Sequence, residues 1–113
     1  MAYLHQELAR GRWFELTIFE QMGNIGSEVG RAAKWRRLGD GEKSQAALYR
    51  ALDLCDLTAA DPRWRKKRRL REILRARELV SDFFLGGNLY ESTDEFLEKY
   101  FMQFALAARK HIS

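Results

Sequence analysis

Apolar residues return along this chain at intervals of three and four, and the pattern breaks only three times. From Ile18 the steps to Met22, Ile25, Val29 and Ala32 run four, three, four and three, the spacing of one buried face of an α-helix. Leu48, Leu52, Cys55 and Ala59 repeat it, as do Leu70, Ile73/Leu74, Val80 and Phe83/Phe84, and then Leu97, Tyr100/Phe101, Phe104 and Ala108. The breaks are Gly39-Asp40-Gly41, Asp61-Pro62 and Gly86-Gly87-Asn88, all too short to link domains. No segment alternates as a strand does. The spacing therefore predicts helices over about 13–38, 42–60, 62–85 and 93–110.

The punctuation agrees with these limits. Gly39 suits a left-handed C-terminal cap. Asp61 is an N-cap residue with Pro62 at the favoured first helical position. Ser92-Thr93-Asp94-Glu95 reads as a capping box with acids in the first turn. Four such helices with short connections pack as an up-down-up-down bundle. The expected architecture is a single all-α four-helix domain over residues 1–113. A composition 46% apolar and 32% charged excludes a disordered chain.

One stretch resists that pattern. MGNIGSEVGR, residues 22–31, sets three glycines inside the first helix, each costing about 1 kcal/mol relative to alanine. Gly23, Gly26 and Gly30 step by three and four, so they share one side of the helix. Their absent side chains let a neighbouring helix approach closely, in the same chain or in another. A phosphate-cradling loop would need a preceding strand and a different glycine spacing. On the polar stripe beside them, Asn24 and Glu28 are candidates to hydrogen-bond across such a contact, or simply to face water.

Catalytic and metal chemistry finds few footholds. The only histidines, His5 and His111, lie near the two ends, and neither follows a glutamate by three as inward-facing metal pairs in bundles do. His111 stands two residues after Arg109, too close for the arginine–histidine motif of some helical-bundle ribonucleases. Cys55, the single cysteine, sits on an apolar face and reads as a small buried hydrophobe. It excludes an internal disulfide and suits a reducing compartment. Asp53/Asp56 and Asp94/Glu95/Glu98 read as exposed helix faces and an N-terminal cap. The start of the chain lacks an apolar leader, and the uncharged run Tyr100–Ala108 is about half a bilayer span. The expectation is a cytoplasmic, non-enzymatic protein with no cofactor, no metal and no membrane partner.

Charge carries the functional signal. Net charge is +4, but RWRKKRRLREILRAR, residues 63–77, holds nine basic residues and one acidic one. That segment alone is +8, which leaves −4 for the rest of the chain. Arg63, Arg65, Lys66, Lys67, Arg68, Arg69 and Arg71 wrap the start of the third helix, with Arg75 a turn beyond. Only Glu72 and Glu78 are placed to relieve Arg68 and Arg75. So many like charges repel one another and oppose the helix dipole, and a phosphate-bearing partner offsets both effects. The preference for arginine suits bidentate phosphate contact. Nothing here reads base identity. Trp64 is placed to stack on a base or to staple the helix to the core. The partner expected is nucleic acid, RNA favoured, with an acidic protein surface as the competing reading.

NIGSEVGRAAKW followed by ALYRALDLCDL resembles the small four-helix-bundle proteins encoded in ribosomal-RNA intervening sequences. Related to those are the accessory variability determinants of diversity-generating retroelements. Asn24, Ile25, Glu28, Gly30 and Arg31 match the first motif of that family, and Leu48, Leu52 and Cys55 the second. Two residues rather than one separate Ile25 from Glu28, and no glycine directly follows the glutamate. The GRWFEL start and the TDEFLEKYF segment also look like those of short prokaryotic helical proteins. The resemblance implies a basic homo-oligomer, pentameric in relatives, that binds structured nucleic acid and docks onto a partner enzyme such as a reverse transcriptase. Gly23, Gly26, Gly30, Asn24 and Glu28 would then serve a helix-packing or subunit contact.

Overall fold

A computed structural model describes residues 11–65 and 68–110, and all regular elements among them are helical. Helices α1 (Ile18–Arg37), α2 (Gly41–Ala59), α3 (Arg68–Phe84) and α4 (Asp94–Lys110) form a four-helix bundle, with 3-10 turns at Arg12–Glu15 and Pro62–Trp64.

Two helix starts fall later than the periodicity predicts. The first helix begins at Ile18 rather than Trp13 because Leu16 is extended and Thr17 is an N-cap. Thr17 Oγ1 accepts from the Glu20 backbone N–H at 3.1 Å, and Glu20 Oε1 accepts from the Thr17 N–H at 2.9 Å. This reciprocal capping box satisfies two otherwise orphaned donors. The preceding 3-10 turn folds Trp13 back into the core, where it is 2% exposed. The third helix begins at Arg68 rather than Pro62, since Asp61 caps only the 3-10 turn.

The other ends follow their punctuation more closely. Gly39 takes a left-handed φ of +80°, and the Asp40 N–H reaches back to the Trp35 carbonyl at 2.9 Å, the Schellman closure of α1. Asp40 then caps α2 by accepting from the Lys43 N–H. At α4 the cap is Thr93, which accepts from the Phe96 N–H at 3.0 Å. The third helical position is thus Phe96, and no carboxylate returns the bond. Ser92 instead is buried, its hydroxyl without a hydrogen-bond partner among the described residues and its backbone held by the Asn88 side chain.

α1 is the central helix, packed against α2 on one side and α4 on the other, while α2 carries α3. Glu28 meets Arg50, and the Ser44 hydroxyl donates to the Ala32 carbonyl, so α1 and α2 run antiparallel. α4 is antiparallel to α1 as well: Gly26 lies under Phe101 and Arg37 pairs with Asp94 at 2.9 Å. The core holds Met22, Ile25 and Val29, then Leu48, Leu54 and Leu57, then Ile73 and Val80, then Leu97, Phe101 and Phe104. Burying each side chain of this size stabilises the fold by roughly 1.5–3 kcal/mol. Leu74, on the expected apolar stripe, is 49% exposed.

The three glycines divide. A Cβ on Gly26 would stand 2.5 Å from Phe101 Cβ, and one on Gly23 would meet Ala105 Cα at 3.6 Å. A Cβ on Gly30 would meet nothing within 4 Å. Close approach therefore needs Gly26 above all, and the near partner is a helix of the same chain. Gly30 lies past the tight crossing and meets no helix of this chain among the described residues. Glu28 does bond across a helix contact, but to Arg50 of α2, with Arg31 completing the pair from its own helix. Asn24 is exposed and donates to the Glu20 carbonyl one turn back at 2.8 Å.

Candidate nucleic-acid interface

The basic segment separates into residues spent on the fold and residues facing solvent. Arg63 belongs to the first group. Its guanidinium donates to Asp61 Oδ2 at 2.7 Å and to the Leu16 carbonyl at 2.6 Å, and lies 4.5 Å from the Trp64 ring centroid. Asp61 is 1% exposed and also accepts from Gln21 at 3.1 Å. Gln21 in turn donates to the Trp13 carbonyl and accepts from Trp64 Nε1 at 2.9 Å, while Trp13 Nε1 donates to Thr58 Oγ1. Burial pushes the Asp61 carboxyl up. The hydrogen bonds from the Arg63 side chain and backbone and from Gln21, with the Arg63 charge, outweigh it and hold the group below its ordinary value. Trp64 is thereby stapled to the core by its indole N–H, the second of its two readings.

Further along, Arg77 pairs with Asp56 at 2.7 Å. Arg69 is half-buried, 3.3 Å from Glu72 and over the Phe19 ring. The expected relief of Arg68 and Arg75 does not form. Glu72 turns to Arg69, and Glu78 accepts from the Tyr90 hydroxyl at 2.6 Å. Arg65, Arg68, Arg71 and Arg75 are exposed and make no ion pair among the described residues. Lys66 and Lys67 lie outside the described residues.

Arg68, Arg71 and Arg75 come to line one groove because α3 packs chiefly on α2 and α4 chiefly on α1, with little backbone approach between α3 and α4. Between them runs a groove of about 620 Å³. Arg68, Arg69, Arg71 and Arg75 line its α3 side with Glu72, and Tyr100, Gln103 and Phe104 line its α4 side. Four guanidinium groups against one carboxylate leave the groove strongly positive. The Tyr100 ring stands edge-on to Phe101 at 5.1 Å and to Phe104 at 5.7 Å. Burial, and after it the Glu72 charge, raises its hydroxyl above the usual phenol value, so Tyr100 is a neutral hydrogen-bond donor at physiological pH.

Sequence reading found the arginines and missed Tyr100, Gln103 and Phe104 as their companions, because an aromatic stripe at helical spacing signals a core. Elsewhere, burial pushes the Cys55 thiol up to about 12, so thiolate chemistry is closed to it at neutral pH. Trp35 is half-buried, with Lys43 Nζ 4.4 Å and Lys34 Nζ 5.5 Å from its ring centroid. Among the described residues no cluster of three potential metal ligands occurs, and no helix is long and apolar enough to cross a membrane. His5 and His111 lie outside the described residues. No protein-family model, curated protein or solved structure matches this chain.

Proposed function

We propose that the chain is a non-enzymatic RNA-binding protein whose ligand lies in the α3–α4 groove. The observation that carries this reading is the set of exposed arginines, Arg68, Arg71 and Arg75, which have no carboxylate partner among the described residues and lie along one groove. Guanidinium groups spaced along a helix match a row of phosphates, and counterion release on binding is favourable. Mutual repulsion within the segment falls at the same time. The resemblance to proteins of ribosomal-RNA intervening sequences points to the same ligand and adds homo-oligomeric assembly, which light scattering measures directly.

The test is a fluorescence-anisotropy titration of a labelled structured RNA at low and at physiological salt. Micromolar or tighter binding is expected at low salt, with log affinity falling against log salt by roughly 2 to 4, as for three or four phosphate contacts. The triple variant Arg68→Gln, Arg71→Gln and Arg75→Gln should lose binding and keep its helical circular dichroism. If RNA fails to bind at low salt while an acidic polypeptide does, the groove serves an acidic protein partner instead.

A further inference from the structure

Along α4, Phe96, Tyr100 and Phe104 follow one another at four-residue steps, which puts them in one line on the helix surface. Phe96 and Tyr100 stack with ring centroids 6.3 Å apart and 27° between their planes. Phe104 is buried, Tyr100 half-buried and Phe96 47% exposed, so the line emerges from the core into solvent. Arg68, Arg71 and Arg75 follow the opposite wall at three- and four-residue steps, in the groove that Tyr100 and Phe104 share. The cationic row thus faces Tyr100 and Phe104, and Phe96 adjoins Tyr100 by stacking without lining the groove itself.

From this pairing we infer that the groove takes an unpaired stretch of RNA in preference to a duplex, with phosphates on the α3 arginines and bases against Tyr100 and Phe96. The inference rests on the RNA-binding reading above and narrows its ligand. A duplex turns phosphates and sugars outward and keeps its bases stacked on one another, so it gains from the arginines alone. An unpaired strand gains from both rows, because every base has a face that stacks on an aromatic ring. Two polar groups beside the rings suit the edges of an exposed base. The Tyr100 hydroxyl makes no hydrogen bond among the described residues. Gln103 spends its amide N–H on the Tyr100 carbonyl at 2.9 Å, which leaves its side-chain oxygen as an acceptor.

The experiment compares, at low salt and with the full chain, a labelled oligouridylate of roughly ten nucleotides with a blunt-ended, fully paired RNA duplex bearing the same number of phosphates. The single strand should bind about tenfold more tightly. Tyr100→Leu should reduce single-strand affinity about fivefold or more and duplex affinity by distinctly less. Phe96→Ala, at an exposed position, should shift the same ratio in the same direction. Equal affinity for the two RNAs, or equal losses on both in the variants, overturns the preference for unpaired RNA and leaves the groove as an RNA site. If neither RNA binds the unaltered protein, the RNA-binding reading itself fails.

Discussion

Where α4 crosses α1, a single added carbon on Gly26 would stand 2.5 Å from Phe101 Cβ. Where the same helix faces α3, a groove of about 620 Å³ separates them, lined by four arginines. The two seams show what decides whether helices close. At Gly26 α1 gives up a side chain, so the helices meet almost backbone to ring, and a groove of about 380 Å³ opens beside that contact, lined by Gly23, Gly30, Met102 and Ala105. α3 presents guanidinium groups, and bringing α4 against them would strip their hydration with one carboxylate, Glu72, to compensate. The first seam is pinned at one tight contact, and the second keeps its guanidinium groups in water.

The contrast can be broken most forcefully at the closed seam. Gly26→Leu should cost about 3 kcal/mol, because Phe101 sits on α4 and cannot retreat without moving that helix. Urea denaturation reads this loss, and an unchanged midpoint would mean the crossing is looser than its geometry. Next comes the buried anchor of the basic segment. Asp61→Asn should cost about 2 kcal/mol, since charge-assisted bonds from Arg63 and Gln21 converge on that carboxylate. The loss should also depend on pH. The folded-state pKa of Asp61 is depressed, so its contribution is fully present above the unfolded value of about 3.9 and disappears as pH falls through the folded one. The stability gap between Asp61→Asn and the unaltered protein should therefore narrow in acid. Gly30→Ala sharpens the comparison from the other side: with open space at its Cβ, it should stabilise the protein by about 1 kcal/mol, measured as a higher urea midpoint. Smallest of all, the triple glutamine substitution of Arg68, Arg71 and Arg75 should move stability by no more than about 0.5 kcal/mol, even as it removes RNA binding.

Much of the bundle was legible because its signals are local and periodic. The stripe from Ile18 to Ala32 is buried throughout, and Gly39 takes the left-handed conformation that a C-terminal cap requires. The misplaced starts have a common cause. Trp13 and Trp64 each sit in a 3-10 turn that aims an indole inward, and apolar periodicity cannot tell such a turn from the first turn of an α-helix. The Thr17–Glu20 box was there to be read as a later start. At the candidate site the charges were visible, but their sorting was not. Asp61 and Glu72 each claim one arginine, and those choices depend on distances that only folding sets. The groove between α3 and α4 leaves no trace in either helix's own pattern, since it reflects how α3 packs on α2 and α4 on α1.

The polar network beneath α3 has a bearing on which packings the chain refuses. An amphipathic helix can slide along its neighbour by one turn, about 5.4 Å, and still present an apolar stripe. Hydrophobic burial alone discriminates poorly between such registers. Here a slip would pull Asp61 away from Gln21 and Trp64 away from the same amide, leaving several buried polar groups unsatisfied at once. The network thus selects a single register for the segment that follows it. The backbone positions of Arg68, Arg71 and Arg75 along the groove opposite Tyr100 and Phe104 go with that register.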